Sequence, residues 1–314
     1  MANIDPAETG TTSNSYATIL RSSAVMGASF AIVMVFSFMR MKFMAVWLGP
    51  SGVGLLGVLS TILDLCVAIA GLGVQQSGIR QMAAADSEAA RRDVASAIRW
   101  LSLGLGAVGA IILAITALPI SRLTFGEDHY VSAVALLGLA VLLRILGGGQ
   151  LALLQGLRQI STLARANILS AFASTAICVP MVYFLKEQAV APVVVVMAGV
   201  TAIITWSLGQ RFVPPGGAPW PHIATESRAL VHLGLVFMAS TLLTTGAVYL
   251  ARIVILQNAG IVGAGLYQAA WALGVLYSGF ILQAMGSDFF PRLSRIANDD
   301  AASNRLVNEQ IRVS

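Results

Sequence analysis

Long apolar runs alternate along this chain with short polar stretches, and most of the arginines lie in the polar stretches. A membrane-spanning helix needs about 20 consecutive, mostly apolar residues. Counting between charges predicts eight such helices, the second of which begins near Gly49 and Pro50. The predicted spans are 22–39, one within 43–79, 100–121, one within 130–157, 166–185, 188–210, one within 229 to about 256 and one within 261–287. The pattern therefore predicts an all-α polytopic membrane protein.

The composition supports this interpretation. Charged residues make up 11% of the chain and apolar residues 57%, with a mean hydropathy of +0.81, whereas soluble proteins are about 25% charged. Cys66 and Cys178 both lie in apolar runs, which fits neither a disulfide framework nor a zinc site. We attribute the net charge of +5 to the loops of a membrane protein rather than to nucleic-acid binding.

The placement of Lys and Arg predicts the orientation, because cytoplasmic loops carry an excess of both. With the N-terminus in the cytoplasm, 13 of the 19 basic residues fall on the cytoplasmic side and 4 on the outer side. The other two, Arg144 and Arg252, lie inside predicted spans. This asymmetry predicts a cytoplasmic N-terminus.

An internal repeat links two parts of the chain that are 211 residues apart. An apolar span that ends near an arginine, Arg40 or Arg252, precedes each copy. With two residues of drift, a polar, arginine-bearing stretch then follows each copy. The matched residues are Gly52, Gly54 and Leu55 with Gly263, Gly265 and Leu266, and then Arg92, Val94, Ile98 and Arg99 with Arg305, Val307, Ile311 and Arg312.

The repeat and the span count together predict the domains. The second copy starts at the seventh span, so each repeat has six helices and both face the same way, as in some transporters. We expect a six-helix N-terminal bundle at 1–210, a cytoplasmic loop at 211–228 and the first two helices of a second bundle at 229–314. A full pair has twelve spans, so we expect the chain to be truncated at its C-terminal end.

Three charged residues inside predicted spans are the candidate functional residues, because a mid-helix charge costs about 2.5–3.5 kcal/mol. Arg144 and Arg252 have the fork that suits an anionic or pyrophosphate headgroup; snorkelling or a structural pair is the alternative. Asp64 could pair with one of them, take up a coupling proton or sodium ion, or form a buried hydrogen bond that holds two helices together. These three residues are the predicted substrate and coupling site.

Signals of an enzyme are weak. His129, His222 and His232 lack the spacing of metal ligands, and no phosphate-binding loop is present. The stretch 104–109, GLGAVG, matches a dinucleotide-binding pattern, but it lies inside a predicted span rather than after a strand. Small residues that allow helices to pack closely explain it better. The sequence therefore predicts no catalytic residue, no metal and no cofactor.

Two stretches resemble a known family. The first is WLGPSGVGLLGVLSTILDL, followed by AGLGVQQSGIRQMA. The second is NAGIVGAGLYQAAWALG, followed by MGSDFFPRLS. The chain resembles the polysaccharide biosynthesis flippases, the Wzx-type O-antigen translocases, of the multidrug/oligosaccharidyl-lipid/polysaccharide (MOP) exporter superfamily. The resemblance implies a MOP/MATE-like fold of twelve helices in two bundles around a cavity, of which eight spans are predicted here. It also implies alternating access, with cavity arginines at the lipid headgroup.

The function that the resemblance implies is the movement of undecaprenyl-pyrophosphate-linked oligosaccharide, such as an O-antigen or lipopolysaccharide unit, across the bacterial inner membrane. The expected partners are the lipid-linked oligosaccharide and membrane lipids, with polysaccharide polymerase or chain-length machinery as further candidates. One alternative is a cation-coupled multidrug antiporter of the same fold. A membrane-embedded glycosyltransferase or ligase is another, but it needs a large outer loop that this sequence does not predict.

Overall fold

The structure is a computed structural model that describes residues 6–213 and 218–295, with side chains described for 24–213 and 218–275. All regular elements in these residues are helical. Single turns of 3-10 helix lie at Lys186–Ala189 and Gln210–Phe212. The α-helices are α1 (Pro6–Ala70), α2 (Val74–Ala84), α3 (Glu88–Ile115), α4 (Ala117–Phe125), α5 (Val131–Gly156), α6 (Ile160–Leu185), α7 (Val190–Gly209) and α8 (Trp220–Arg295).

Five helical stretches in the described residues are long and apolar enough to cross a membrane: Ala24–Ala70, Glu88–Ile115, Val131–Gly156, Ile160–Phe212 and Trp220–Val275. Three of them contain 47, 53 and 56 residues, and about 20 residues already span the hydrocarbon core. Each of the three is therefore long enough for two crossings. The prediction of an all-α membrane protein is confirmed, and the number of eight crossings stays a prediction.

Both of the longest helices bend at a glycine. Gly49 in α1 has φ 67° and ψ −175°, and Gly260 in α8 has φ 67° and ψ −176°. Only glycine adopts this region readily, because a side chain clashes with the backbone there. The two glycines are 211 residues apart, the same offset as in the predicted repeat. The matching bends support the repeat and the predicted start of the second span at Gly49 and Pro50.

Helix α5 lies at the centre of the larger hydrophobic core and packs mainly against α3 and α7. It is apolar around most of its circumference, as a helix enclosed by others must be. Its fully buried residues include Val134, Leu137 and Val141, which belong to the same buried cluster as Leu59 and Ile62 of α1. This core holds in place the part of α1 that follows the bend.

The glycine-rich stretch 104–109 lies in the middle of α3, with no strand before it. A Cβ at Gly106 would come within 2.8 Å of the Leu142 side chain on α5, and one at Gly109 would come within 2.6 Å of Ala70. The expectation that small residues here serve helix packing is confirmed at these two positions.

A second, smaller core joins the start of α8 to α2, α3 and α5. Ile223 and Leu230 of α8 are buried there with Met82, Val94 and Ile98. On the surface beside this core, His222 Nδ1 lies 2.8 Å from Asp93 Oδ2. Helix α8 thus begins at Trp220, inside the stretch 211–228 for which the sequence predicted a loop.

The chain divides into two compact units. One is Ala28–Gln268, which contains the two cores and the charged residues discussed below. The other combines Met1–Gly27 with Ala269–Ser314, and its described backbone consists of the first part of α1 and the last part of α8. The predicted domain limits at 210 and 228 stay predictions. The sequence also predicted that residues 305–312 match residues 92–99 of the first copy. Residues 305–312 lie outside the described part of the chain.

Candidate functional site

The structure pairs Asp64 with Arg144. Asp64 lies on α1 after the bend and Arg144 lies on the central helix α5, 80 positions later in the sequence. Arg144 Nη2 is 3.5 Å from Asp64 Oδ1, and both side chains are 52% exposed. The contact is at the long end of hydrogen-bond distances. The pair is therefore loose enough, and open enough, for another charged group to compete for either partner.

Arg252 is placed differently. It is 8% exposed, and its Nη1 donates a hydrogen bond to the backbone carbonyl of Gly57 on α1. Its Nε is buried and has no hydrogen-bond partner among the described atoms. Arg252 is close enough to Asp64 for their charges to attract, but it forms no ion pair with it. Arg252, which the sequence analysis grouped with Arg144, is thus buried where α8 packs against α1.

The surroundings of Arg252 leave little free space. A narrow cleft beside it is lined by Gly54, Gly57, Val58, Ile255, Ala264 and Tyr267, and it is too tight to admit a water molecule. The Gly57 carbonyl also accepts a hydrogen bond from the Thr61 hydroxyl at 2.9 Å. In this conformation Arg252 therefore joins α8 to α1, and it cannot contact a substrate without leaving Gly57.

The cleft lies where the two copies of the repeat touch. A Cβ at Gly54 would overlap the carbonyl oxygen of Ile261, and a Cβ at Gly265 would overlap the carbonyl oxygen of Pro50. Gly54 and Gly265 are equivalent in the repeat, and so are Pro50 and Ile261. The two contacts are therefore reciprocal, as expected where a two-fold axis relates two copies of one structure.

Sequence reasoning missed the residue pair next to this contact. A Cβ at Gly57 would lie 2.9 Å from Gln268 Oε1, and this amide oxygen is buried without a partner among the described atoms. Gly57 and Gln268 are also 211 residues apart. The repeat offset could have indicated them, since one copy has glycine where the other has a long polar side chain.

The described residues offer no obvious metal site, since no three His, Cys, Asp or Glu side chains among them are grouped to hold an ion. Cys66 and Cys178 are both free thiols. The chemical groups that the site presents are thus a half-exposed carboxylate–guanidinium pair and a buried guanidinium. A guanidinium fork suits carboxylate and phosphate groups, and a carboxylate suits cations.

The family described as polysaccharide biosynthesis protein matches residues 43–314. The chain belongs to this family. A comparison with curated proteins found no significant match. The resemblance that the two sequence stretches indicated is therefore confirmed at the level of the family.

Solved structures of MOP transporters share the fold of this polysaccharide biosynthesis protein. An inward-facing multidrug resistance MATE family transporter matches with a TM-score of 0.64 and 16% identity over 90% of this chain and 68% of its own. An outward-facing one has a TM-score of 0.58 and 18% identity, with coverages of 86% and 63%. A MOP superfamily transporter from Pyrococcus furiosus matches with a TM-score of 0.57 and 15% identity. The match covers 85% of this chain and 63% of the transporter.

These identities show the fold alone, and the chain spans 68%, 63% and 63% of the lengths of the three solved chains. The MOP/MATE-like fold that the sequence predicted is confirmed. Family and fold together indicate a multi-pass membrane protein of the transporter or flippase type rather than a catalytic enzyme.

Proposed function

We propose that this protein is a flippase that moves an undecaprenyl-pyrophosphate-linked oligosaccharide, such as an O-antigen or related surface polysaccharide unit, across the bacterial inner membrane by alternating access. The observation that carries the proposal is the family match over residues 43–314, together with a fold shared with MOP transporters. The chain spans about two thirds of the length of the solved relatives. That this chain transports substrate on its own is therefore itself proposed.

Arg144 is the headgroup contact in this proposal. Its side chain is half exposed and its partner Asp64 is only loosely held. A pyrophosphate offers several oxygens to a guanidinium fork, and charge-assisted hydrogen bonds of this type are strong. The headgroup would therefore displace the Asp64 carboxylate from Arg144. Asp64 neutralises Arg144 when no substrate is present. It also competes with the headgroup for Arg144 and so weakens headgroup binding.

Arg252 has a conditional role in the same proposal. Its guanidinium is buried against Gly57, so it is not available to a headgroup in this conformation. Alternating access separates and rejoins helices that pack against each other. We place Arg252 at the headgroup only in a conformation in which its bond to Gly57 is broken.

The orientation follows the arginine distribution, with a cytoplasmic N-terminus. Polysaccharide polymerase or chain-length machinery is the partner proposed to act after the flippase. The partner assignment depends on the polysaccharide substrate, whereas the orientation does not.

A cation-coupled small-molecule antiporter is the second candidate. The observation that favours it is the similarity to two structures described as multidrug resistance MATE family transporters. In this case Asp64 takes up the coupling proton or sodium ion, and Arg144 holds the carboxylate until the cation arrives. The loose Arg144–Asp64 contact serves this role as well as it serves headgroup binding.

Binding of a lipid-linked pyrophosphate to the purified chain tests the first candidate, because it does not require transport. We expect Arg144→Ala to weaken binding of undecaprenyl pyrophosphate at least about tenfold, since a hydrogen bond to a charged group contributes about 1.5–3 kcal/mol. Asp64→Asn frees Arg144 and should strengthen binding. Arg122→Ala is the matched control, because Arg122 pairs with Asp128 at 2.6 Å at an exposed site outside the core.

Reconstituted vesicles separate the two candidates. The flippase proposal expects translocation of a fluorescent lipid-linked oligosaccharide without a response to drugs. The antiporter expects drug efflux driven by a proton or sodium gradient, abolished by Asp64→Asn. Unchanged pyrophosphate binding in Arg144→Ala, in a folded variant, would remove Arg144 from the headgroup site.

A further inference from the structure

Arg99 on α3 has no charged partner in the part of the chain that the structure describes. Its guanidinium carbon lies 5.2 Å from the centroid of the Trp206 ring on α7. Among the described residues, its buried Nε and Nη2 have no hydrogen-bond partner and none of the ion pairs includes Arg99. A shielded cation without an acceptor is unfavourable unless another group neutralises it. A missing anion is therefore the simplest completion of this site.

The neighbouring side chains do not supply that anion. Asp93, further towards the start of α3, is already in contact with His222 at 2.8 Å, and Arg92 lies 4.0 Å from it. Ser102, one helical turn beyond Arg99, has a buried hydroxyl that also lacks a partner among the described atoms. Arg99 and Ser102 both have hydrogens to donate. Ser102 packs towards Gly149 on α5, so the unpartnered guanidinium of Arg99 is the group that suits a ligand with acceptor oxygens.

Besides Trp206, which packs on Arg99, two further tryptophans form a pair that begins at the next residue of α3. Trp100 and Trp220 pair with ring centroids 5.4 Å apart. Trp100, Trp206 and Trp220 are 51%, 37% and 67% exposed, which is unusual for large apolar side chains unless another apolar phase covers them. Tryptophan is enriched where the hydrocarbon core meets the headgroups. The predicted span 100–121 begins directly after Arg99, so Arg99 lies at this boundary by sequence as well.

We propose that Arg99, with Trp206 over its guanidinium, binds the phosphate of an anionic membrane lipid beside the middle of α3 and the C-terminal end of α7. The phosphate oxygens accept hydrogen bonds from the guanidinium, whose fork suits phosphate. The lipid chains cover the exposed faces of Trp100, Trp206 and Trp220. A lipid satisfies both observations, whereas free phosphate leaves the tryptophans uncovered. The site is separate from Arg144 and Asp64 and does not depend on the transport proposal.

Native mass spectrometry of the purified chain with added phosphatidylglycerol or phosphatidylcholine tests the site. We expect the wild-type protein to retain phosphatidylglycerol preferentially, and Arg99→Gln to lose at least about 90% of this adduct. Arg122→Gln is the matched control and should keep it, because Arg122 already has Asp128 as its partner. Equal phosphatidylglycerol retention by Arg99→Gln and wild type would overturn the proposal. Displacement of the lipid by excess inorganic phosphate alone would overturn its lipid part.

A second measurement begins with the wild-type protein, so its main comparison does not depend on the folding of a variant. Phosphatidylglycerol with brominated acyl chains should quench the tryptophan fluorescence of the wild-type protein more than brominated phosphatidylcholine at the same mole fraction. The excess quenching should fall in Trp206→Phe, while Trp47→Phe, changed at a tryptophan that packs on Phe43 and Tyr183, should keep it. Equal quenching by the two lipids would overturn the site.

Discussion

Gly54 and Gly265 each pack so closely against the other copy of the repeat that neither position has room for a Cβ. Gly54 faces the carbonyl oxygen of Ile261, and Gly265 faces that of Pro50. The reciprocity of these contacts follows from the 211-residue offset that relates both pairs. The two copies of the repeat touch here, so any movement of one relative to the other must change this contact.

The first prediction concerns this contact. Gly54→Ala and Gly265→Ala should each destabilise the protein by about 1–3 kcal/mol, because an added methyl group forces two backbones apart. The two variants should have similar effects, since their environments are equivalent. Thermal unfolding in detergent measures both.

The control for these variants is Gly246→Ala on α8, where a Cβ meets no atom within 4 Å. Alanine is a better helix former than glycine, so this variant should unfold at the wild-type temperature or slightly above it. If Gly54→Ala and Gly246→Ala are equally stable, the close contact has no energetic role.

The second prediction isolates the bend in α1. Gly49 and Gly104 both have open space around a Cβ, but only Gly49 has a positive φ, of 67°. Gly49→Ala should cost about 1–3 kcal/mol through backbone strain, whereas Gly104→Ala should be neutral or stabilising. Gly260→Ala should behave like Gly49→Ala. A neutral Gly49→Ala variant would show that the bend is not held in this conformation.

The third prediction concerns the Asp64–Arg144 pair. Either single change, Asp64→Asn or Arg144→Gln, leaves one unpaired charge within a candidate membrane span and should lower stability. The double variant should recover part of the loss, with a coupling energy of up to about 1 kcal/mol because both side chains are half exposed. A double-mutant cycle on unfolding in detergent measures this coupling. Strict additivity of the two changes would mean that the pair does not form.

The fourth prediction concerns pH and the loop between α4 and α5. The Arg122 guanidinium, hydrogen-bonded to Asp128, holds the pKa of that carboxyl below its ordinary value. A folded-state pKa that is lowered adds stability above the unfolded pKa, and this contribution disappears as the pH falls through the folded pKa. Asp128→Asn should therefore unfold at a slightly lower temperature than wild type at pH 7, and the difference should vanish in acid. The effect is small because both side chains are mostly exposed.

Glu127→Gln is the control for that pH series, because Glu127 is adjacent to Asp128 and forms no ion pair among the described residues. This variant keeps the contact between Arg122 and Asp128, so it should lack the loss of stability expected of Asp128→Asn at pH 7. A difference between Asp128→Asn and wild type that persists below the folded pKa would show that the pair is not its source.

The bend at Gly49 shows how far the local pattern reaches. The Gly49–Pro50 step within one long apolar run indicated the start of a new span, and the backbone bends there. The repeat offset also pointed to Gly260, which bends in the same way. These features depend on residues that are close in sequence, or on a comparison of two stretches, so the sequence could indicate them.

The partners of the three charged residues could not be predicted in this way. Asp64 had two candidate partners, Arg144 and Arg252, and helix packing decided between them. The chosen contact joins residues 80 positions apart, and the bond from Arg252 to Gly57 joins residues 195 apart. Depth in the membrane, which the sequence indicates, is similar for several residues. The rotation of each helix about its axis decides which side chains are in contact. This rotation depends on side-chain packing against the neighbouring helices.

The sequence by itself thus determined that this is a helical membrane protein of the polysaccharide biosynthesis family, with charged residues inside its apolar stretches and a pair of similar stretches 211 residues apart. Hydropathy, charge asymmetry and repeated motifs are properties of the chain and can be read along it. Only the tertiary structure decided that Asp64 contacts Arg144, that Arg252 is buried against Gly57, and that equivalent glycines of the two copies touch. The physical reason is that each of these contacts depends on how separate helices rotate and pack.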